Sequence, residues 1–165
     1  MQKMSSCLWF DGAAQEAADF YVSVFKDSRI VSTARYPEGA PGTPGSVMTV
    51  QFTVNGEEFL ALNGGPQFKF TPAVSLVVSC DTQEEIDDLW QKLSQGGAEV
   101  ACGWLTDKFG VSWQLVPAAI GEMMSSPDKA AAQRAFAAMM DMKKLDIAAL
   151  RRAYQGVGAS AEATA

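Results

Sequence analysis

The sequence predicts an α+β fold: two βαβββ modules whose curved mixed sheets form a groove, plus two C-terminal helices. Residues 7–25, CLWFDGAAQEAADFYVSVF, are echoed at 75–93 by SLVVSCDTQEEIDDLWQKL. Each copy is an apolar run, a break containing Asp, a Gln-Glu pair, and an acidic residue ahead of two bulky apolar ones. Each copy is also followed by Gly-punctuated, strand-like sequence. A repeated strand–helix–strands unit gives two similar halves that can face each other across a groove. The implied segments are a first module at 1–64, a second at 65–117, a helical extension at 118–156 and a disordered tail at 157–165.

Residues 4–10 read as a strand that Asp11 ends, and Asp11 can cap a helix over 13–25. Ala13, Ala17, Phe20, Tyr21 and Val24 share one face of that helix at 3.6-residue spacing. A second strand follows at 29–36, and PEGAPGTPG at 37–45 is a loop. VMTVQFTV (47–54) alternates in polarity, Asn55-Gly56 supplies a type I′ turn, and EEFLALN (57–63) returns. GGPQFKFTP (64–72) connects the halves, and 73–80 is the next strand. Thr82 with Glu85 forms a capping box for a helix over 83–95, with Ile86, Leu89, Trp90 and Leu93 as its buried stripe. Short strands near 98–106 and the run 109–116 complete the second half. In the tail, Ser126-Pro127 starts a helix over about 127–142, with Ala132, Ala135, Phe136, Met139 and Met140 on one face. Asp146 can cap a last helix whose apolar positions are Ile147, Leu150 and Tyr154, and Gly156 ends it.

Hydrophobic residues make up 48% of the 165 residues and charged ones 19%, enough apolar material for a packed core. The net charge of −6, with its few basic residues gathered only near Lys143, Lys144, Arg151 and Arg152, argues against nucleic acid as a partner. No apolar run approaches the roughly 18 residues of a membrane span. The N-terminus lacks a long apolar stretch, so a cytoplasmic location is expected. Cys7, Cys80 and Cys102 show no CxxC-like spacing and are expected as reduced thiols.

Four stretches, LWFDGAAQEAADFYVSVF, VNGEEFLALNGGPQFKF, CGWLTDKFGVSWQLVP and MMDMKKLDIAAL, together resemble the vicinal oxygen chelate superfamily of glyoxalases, bleomycin-resistance proteins and dioxygenases. The resemblance is closer to its PhnB-like branch, often labelled 3-demethylubiquinone-9 3-methyltransferase-like. The superfamily builds a metal site from His and Glu. Carried onto this chain, those positions fall on Ser5 or Ser6, Ala61, Ser75 and Gln114, and the chain contains no histidine. The resemblance therefore implies a scaffold whose usual metal ligands are missing, and no metal and no other cofactor is expected. Gln67 stands where the branch commonly has His, and an amide cannot act as a base at neutral pH. The resemblance also implies a homodimer.

If Ala61 and Gln114 face the groove, alternation adds Phe59, Asn63, Ser112 and Val116, with Ser5, Cys7 and Trp9 on one further strand and Ser75, Val77 and Ser79 on another. The expected ligand-binding set is Cys7, Trp9, Phe59, Ala61, Asn63, Phe68, Phe70, Ser75, Val77, Trp104 and Gln114. Such a set either lines a small-molecule pocket or packs the halves together. Phe68 and Phe70 either close over the groove or pack under the connector. Trp104 can stack on a ligand, whereas alternation turns Trp113 toward the helix layer. No base accompanies Cys7, so no catalytic residue is assigned. Asp107 with Lys108, and Glu57 with Glu58, read as solvated turn residues. Met123, Met124, Met139, Met140 and Met142 mark either a dimer surface or helix packing.

The function expected is metal-free binding of a small molecule. The alternatives are an enzyme (a lyase, an isomerase or the labelled methyltransferase) acting on an aromatic or quinone-like metabolite, and an interaction module using the Met-bearing helices. No Gly-rich strand-to-helix turn of the kind that cradles a nucleotide-type methyl donor is present.

Overall fold

The structure is a computed structural model, and it describes residues 4–157. The expected disordered tail lies outside the described residues from 158 onward. The chain divides into two compact units between Phe70 and Thr71.

In the first unit, β1 (Ser6–Phe10) leads to α1 (Ala14–Val24), then to β2 (Arg29–Arg35), β3 (Val47–Val54) and β4 (Glu57–Asn63). The sheet order is β1-β4-β3-β2. β1 runs parallel to β4, and the other neighbours are antiparallel. Asn55 (φ 49°) and Gly56 (φ 83°) both occupy the left-handed region, as a type I′ turn requires. That turn pairs Val54 with Glu57, Phe52 with Phe59 and Val50 with Ala61.

α1 covers one face of this sheet. The Tyr21 ring stacks on Phe52 with centroids 6.1 Å apart, and Phe52 stacks on Phe59 at 5.4 Å. Ala14, Ala17, Ala18, Tyr21 and Val24 are buried against it. Ala13 and Phe20, expected on this stripe, are only half-buried. The stripe is therefore rotated by about one residue from the one the spacing suggested. Asp11 does not cap the helix. The N-cap is Ala13, which has no side-chain acceptor, and Asn63 Oδ1 at the end of β4 instead accepts the Ala14 N–H at 2.9 Å. A cap delivered from 49 residues away leaves no local sequence signature.

The second unit repeats this plan. β5 (Ser75–Cys80) leads to α2 (Gln83–Ser94), β6 (Ala98–Glu99), β7 (Trp104–Thr106) and β8 (Ser112–Pro117), in the order β5-β8-β7-β6. β5 is parallel to β8. Thr82 Oγ1 caps the Glu85 N–H at 3.2 Å, while the Glu85 carboxylate reaches back to the Asp81 N–H at 2.9 Å. Ile86, Trp90 and Leu93 are buried, and Leu89 is half-buried.

Three helices follow: α3 (Ile120–Met124), α4 (Lys129–Met140) and α5 (Ile147–Gln155). The short α3 was not expected. α4 starts later than Ser126-Pro127, because Asp128 is the N-cap, accepting the Ala131 N–H at 3.0 Å. It buries Ala131, Ala132 and Ala135 and leaves Phe136 and Met140 about half exposed. α5 matches expectation: Asp146 accepts the Ala149 N–H at 2.7 Å, and Gly156 (φ 75°) ends the helix in the left-handed region.

Candidate functional site

The two faces of each sheet separate the expected site residues. On the second sheet, Val78 and Cys80 pack with Ile86, so the odd-numbered β5 residues point away from α2. The parallel register pairs Val77 with Gln114, and Trp104 is the antiparallel partner of Gln114. Ser75, Val77, Trp104 and Gln114 therefore share the face away from α2. Gln114 Nε2 donates to Ser75 Oγ at 2.8 Å, and Val77 is 60% exposed beside them. This patch is an indole, an aliphatic side chain and one coupled neutral donor–acceptor pair.

Trp113 points the other way, as alternation suggested. It is buried, and its Nε1 donates to Asp107 Oδ2 at 2.8 Å. Asp107 is accordingly not a solvated turn residue. It is 2% exposed, and its Oδ1 also accepts the N–H groups of Phe109 and Val111. A carboxylate with several donors fixes the β7–β8 turn from inside.

In the first unit the expected set splits. Register places Ser6, Leu8 and Phe10 on the same face as Phe59, Ala61 and Asn63, the face beneath α1. Ala61 is fully buried there, and Asn63 spends its side chain on the α1 cap and on the Val47 carbonyl at 3.0 Å. Phe59, Ala61 and Asn63 thus lie on the opposite face from Cys7 and Trp9. The side of β4 that shares a face with Cys7 and Trp9 is Glu58, Leu60 and Leu62. Glu58 is exposed and borders a cavity of about 190 Å³ with Ser5, Gln51 and Leu60.

The reason is visible in the hairpin. β4 is apolar on both sides, so its own alternation is ambiguous. β3 is not: Val50, Phe52 and Val54 alternate with Thr49, Gln51 and Thr53. A two-residue turn puts Phe59 and Ala61 opposite Phe52 and Val50, on the apolar side.

The connector binds to β1. Trp9 Nε1 donates to the Gly65 carbonyl at 2.8 Å, and the Phe68 ring meets Trp9 edge-on at 5.0 Å. Phe70 meets Phe10 at 5.3 Å. A Cβ at Gly64 would fall 2.1 Å from the Trp9 ring, so only glycine permits this approach. Phe68 remains 66% exposed. Cys7 is exposed on the face away from α1, yet desolvation by its neighbours raises its thiol above the ordinary value. That shift opposes thiolate chemistry. Cys80 is buried and pushed up to about 11, mainly by desolvation and further by Glu85 and Asp81.

The positions that the resemblance assigned to metal ligands do not form a divalent-metal donor set. Ala61 has no donor and lies under α1, and Gln114 and Ser75 offer only neutral oxygens, the Ser75 hydroxyl already accepting from Gln114 Nε2. Among the described residues, no three His, Cys, Asp or Glu side chains converge.

The family model for 3-demethylubiquinone-9 3-methyltransferase matches residues 2–116. The chain belongs to this family. A PhnB protein from Bacillus cereus that carries the same methyltransferase description is 46% identical, with a TM-score of 0.65. It is covered over 99% of its length by 70% of this chain. A protein from Pseudomonas aeruginosa shares the fold at 19% identity and a TM-score of 0.59, covering 71% of this chain and 98% of its own. So does the fosfomycin resistance protein FosX of Listeria monocytogenes, at 12% identity and a TM-score of 0.54, covering 76% and 98%. No curated protein matches. The expected vicinal oxygen chelate-type modules and PhnB-like membership are thus both found. No helix among the described residues is long and apolar enough to cross a membrane.

Proposed function

We propose that this PhnB-like chain binds a small, flat, largely apolar organic molecule on the face of the second sheet that points away from α2, with no resident metal and no covalent step. The observation that carries this reading is the Ser75–Gln114 pair beside Trp104 and Val77. Once Gln114 Nε2 is committed to Ser75 Oγ, the Gln114 carbonyl and the Ser75 hydroxyl proton are left to accept from and donate to a ligand. Trp104 offers a ring face to stack on. Cys7, Trp9 and Phe68 give the first sheet a similar surface of its own, which we assign to binding separately. Phe59, Ala61, Asn63 and Phe70 act behind it, as packing that shapes the surface. The protein is read as a cytoplasmic homodimer.

A second reading has support from the family match: an enzyme acting on an aromatic or quinone-like metabolite. The two are separated by one set of measurements. Thermal shifts are recorded with a naphthoquinone, fosfomycin and an aliphatic control, on the native chain and on Trp104→Ala and Gln114→Ala. The binding reading expects the aromatic probe to raise the melting temperature, because a ligand at 100 times its dissociation constant adds about 2.7 kcal/mol. Both variants should lose most of that gain, and the quinone should be recovered unchanged. Turnover of the quinone supports the enzyme, and a stoichiometric divalent ion in the purified protein overturns the metal-free reading.

A further inference from the structure

The family model ends at residue 116, and the Bacillus relative is accounted for by 70% of this chain. The helices α3, α4 and α5 therefore lie beyond the matched family region. Where α5 meets the start of α2, they create an open cleft of about 700 Å³. One wall carries Asp81 and Gln83. The other carries Asp146, Ala148, Arg151 and Arg152.

Gln83 braces the two walls. Its Oε1 accepts the Ile147 N–H at 2.8 Å, and its Nε2 donates to the Leu145 carbonyl at 3.1 Å. Below the brace, Ile147 packs with Cys80 and Ile86, and Leu145 and Leu150 are buried. The cleft is thus held open by a packed floor and a two-point amide clamp.

Its charges are sorted along α5. Asp81 and Asp146 flank the brace, within two residues of Gln83 and Ile147. Arg151 and Arg152 come about one and a half turns further on, displaced from Asp146 by roughly 8 Å at 1.5 Å per residue. Both arginines are exposed, and neither has an ion pair among the described residues, in a chain with 19 acidic residues against 13 basic ones. Guanidinium groups take carboxylates or phosphates in paired hydrogen bonds.

We propose that this cleft binds a small zwitterionic organic molecule such as a short peptide. Its anionic end pairs with Arg151 and Arg152, and its cationic end sits between Asp81 and Asp146. The site shares no residue with the Trp104 and Gln114 surface, so either proposal can fail without the other.

The test uses the full chain labelled with nitrogen-15 and titrated with triglycine, which spans roughly 10 Å when extended. Acetate and methylammonium serve as one-ended probes. The expected result is saturable movement of the Gln83, Ala148 and Arg151 amide signals with triglycine, and affinity weaker by about tenfold or more for either one-ended probe. The double variant Arg151→Gln/Arg152→Gln should weaken triglycine by about tenfold. Asp81→Asn should weaken triglycine and leave the acetate response unchanged. Both changes are on exposed side chains, and an unaltered spectrum elsewhere verifies the fold. No saturable response to triglycine, undiminished binding by the double variant, or acetate binding equal to triglycine would each overturn the proposal.

Discussion

The Asp107 carboxylate accepts the Trp113 indole N–H at 2.8 Å in the interior of the second unit. With two backbone N–H groups on its other oxygen, it ties the β7–β8 turn to the sheet. Removing it strands buried donors, each costing about 1–3 kcal/mol. Asp107→Ala should therefore lower stability by roughly 3 kcal/mol. Trp113→Phe, which loses one donor and part of a ring, should cost less. Urea denaturation followed by tryptophan fluorescence and circular dichroism reads both. A loss below 1 kcal/mol for Asp107→Ala would show the carboxylate to be dispensable.

Asn63 should matter more to α1 than Asp11 does, although Asp11 sits next to the helix in sequence. Asn63→Ala removes the acceptor for the Ala14 N–H and the donor to Val47, at a cost of about 1.5 kcal/mol. Asn63→Asp keeps the acceptor and should cost less. Asp11→Ala should stay within about 0.5 kcal/mol of the native chain, the usual range for an exposed side chain. Chemical denaturation of the three variants ranks them.

Thr53 is buried, and its Oγ1 has no hydrogen-bond partner among the described residues. Thr53→Val keeps the shape and removes a stranded hydroxyl. The expected outcome is a gain of about 1 kcal/mol. A calorimetric melting temperature at or below that of the native chain would count against it.

Asp87 and Lys144 give a pH signature. The Lys144 ammonium, then the Gln83 amide, bond the Asp87 carboxylate and lower its pKa from the ordinary 3.8. A depressed carboxylate stabilises the fold above its unfolded pKa, and that contribution is lost as pH falls through the folded value. Both side chains are about half exposed, so the pair is worth roughly 0.5 kcal/mol after screening. Lys144→Ala should therefore differ from the native chain at pH 7 and converge with it in strong acid, where Asp87 is protonated in both. Melting curves across that range at low salt measure the difference.

Much of the architecture was legible because its signals are local. The repeated strand–helix unit, the Asn-Gly turn, the Thr82/Glu85 capping box and the α5 limits at Asp146 and Gly156 each depend on a few adjacent residues. The shared side of Ser75, Val77 and Gln114 was legible for the same reason, since period-2 alternation sufficed once the strands were placed, whereas Trp104 was tied to them only by its pairing with Gln114. What escaped reading depended on partners distant in sequence. Asn63 caps a helix from across 49 residues. Asp107 looks like any turn carboxylate until its donors close around it. Phe59 and Ala61 changed sides because β4 is apolar on both faces, and only its register against β3 chooses between them.

By itself the sequence determined the two-module scaffold, the absence of histidine from every candidate metal position, and the helix limits set by caps and glycines. Tertiary structure decided which face each of those residues occupies, and that the C-terminal helix meets α2 through Gln83 to make a charged cleft. The physical reason is range. Backbone propensity and capping act over one turn or one hairpin, whereas facing and clustering are set by strand register and side-chain packing between segments far apart in the chain.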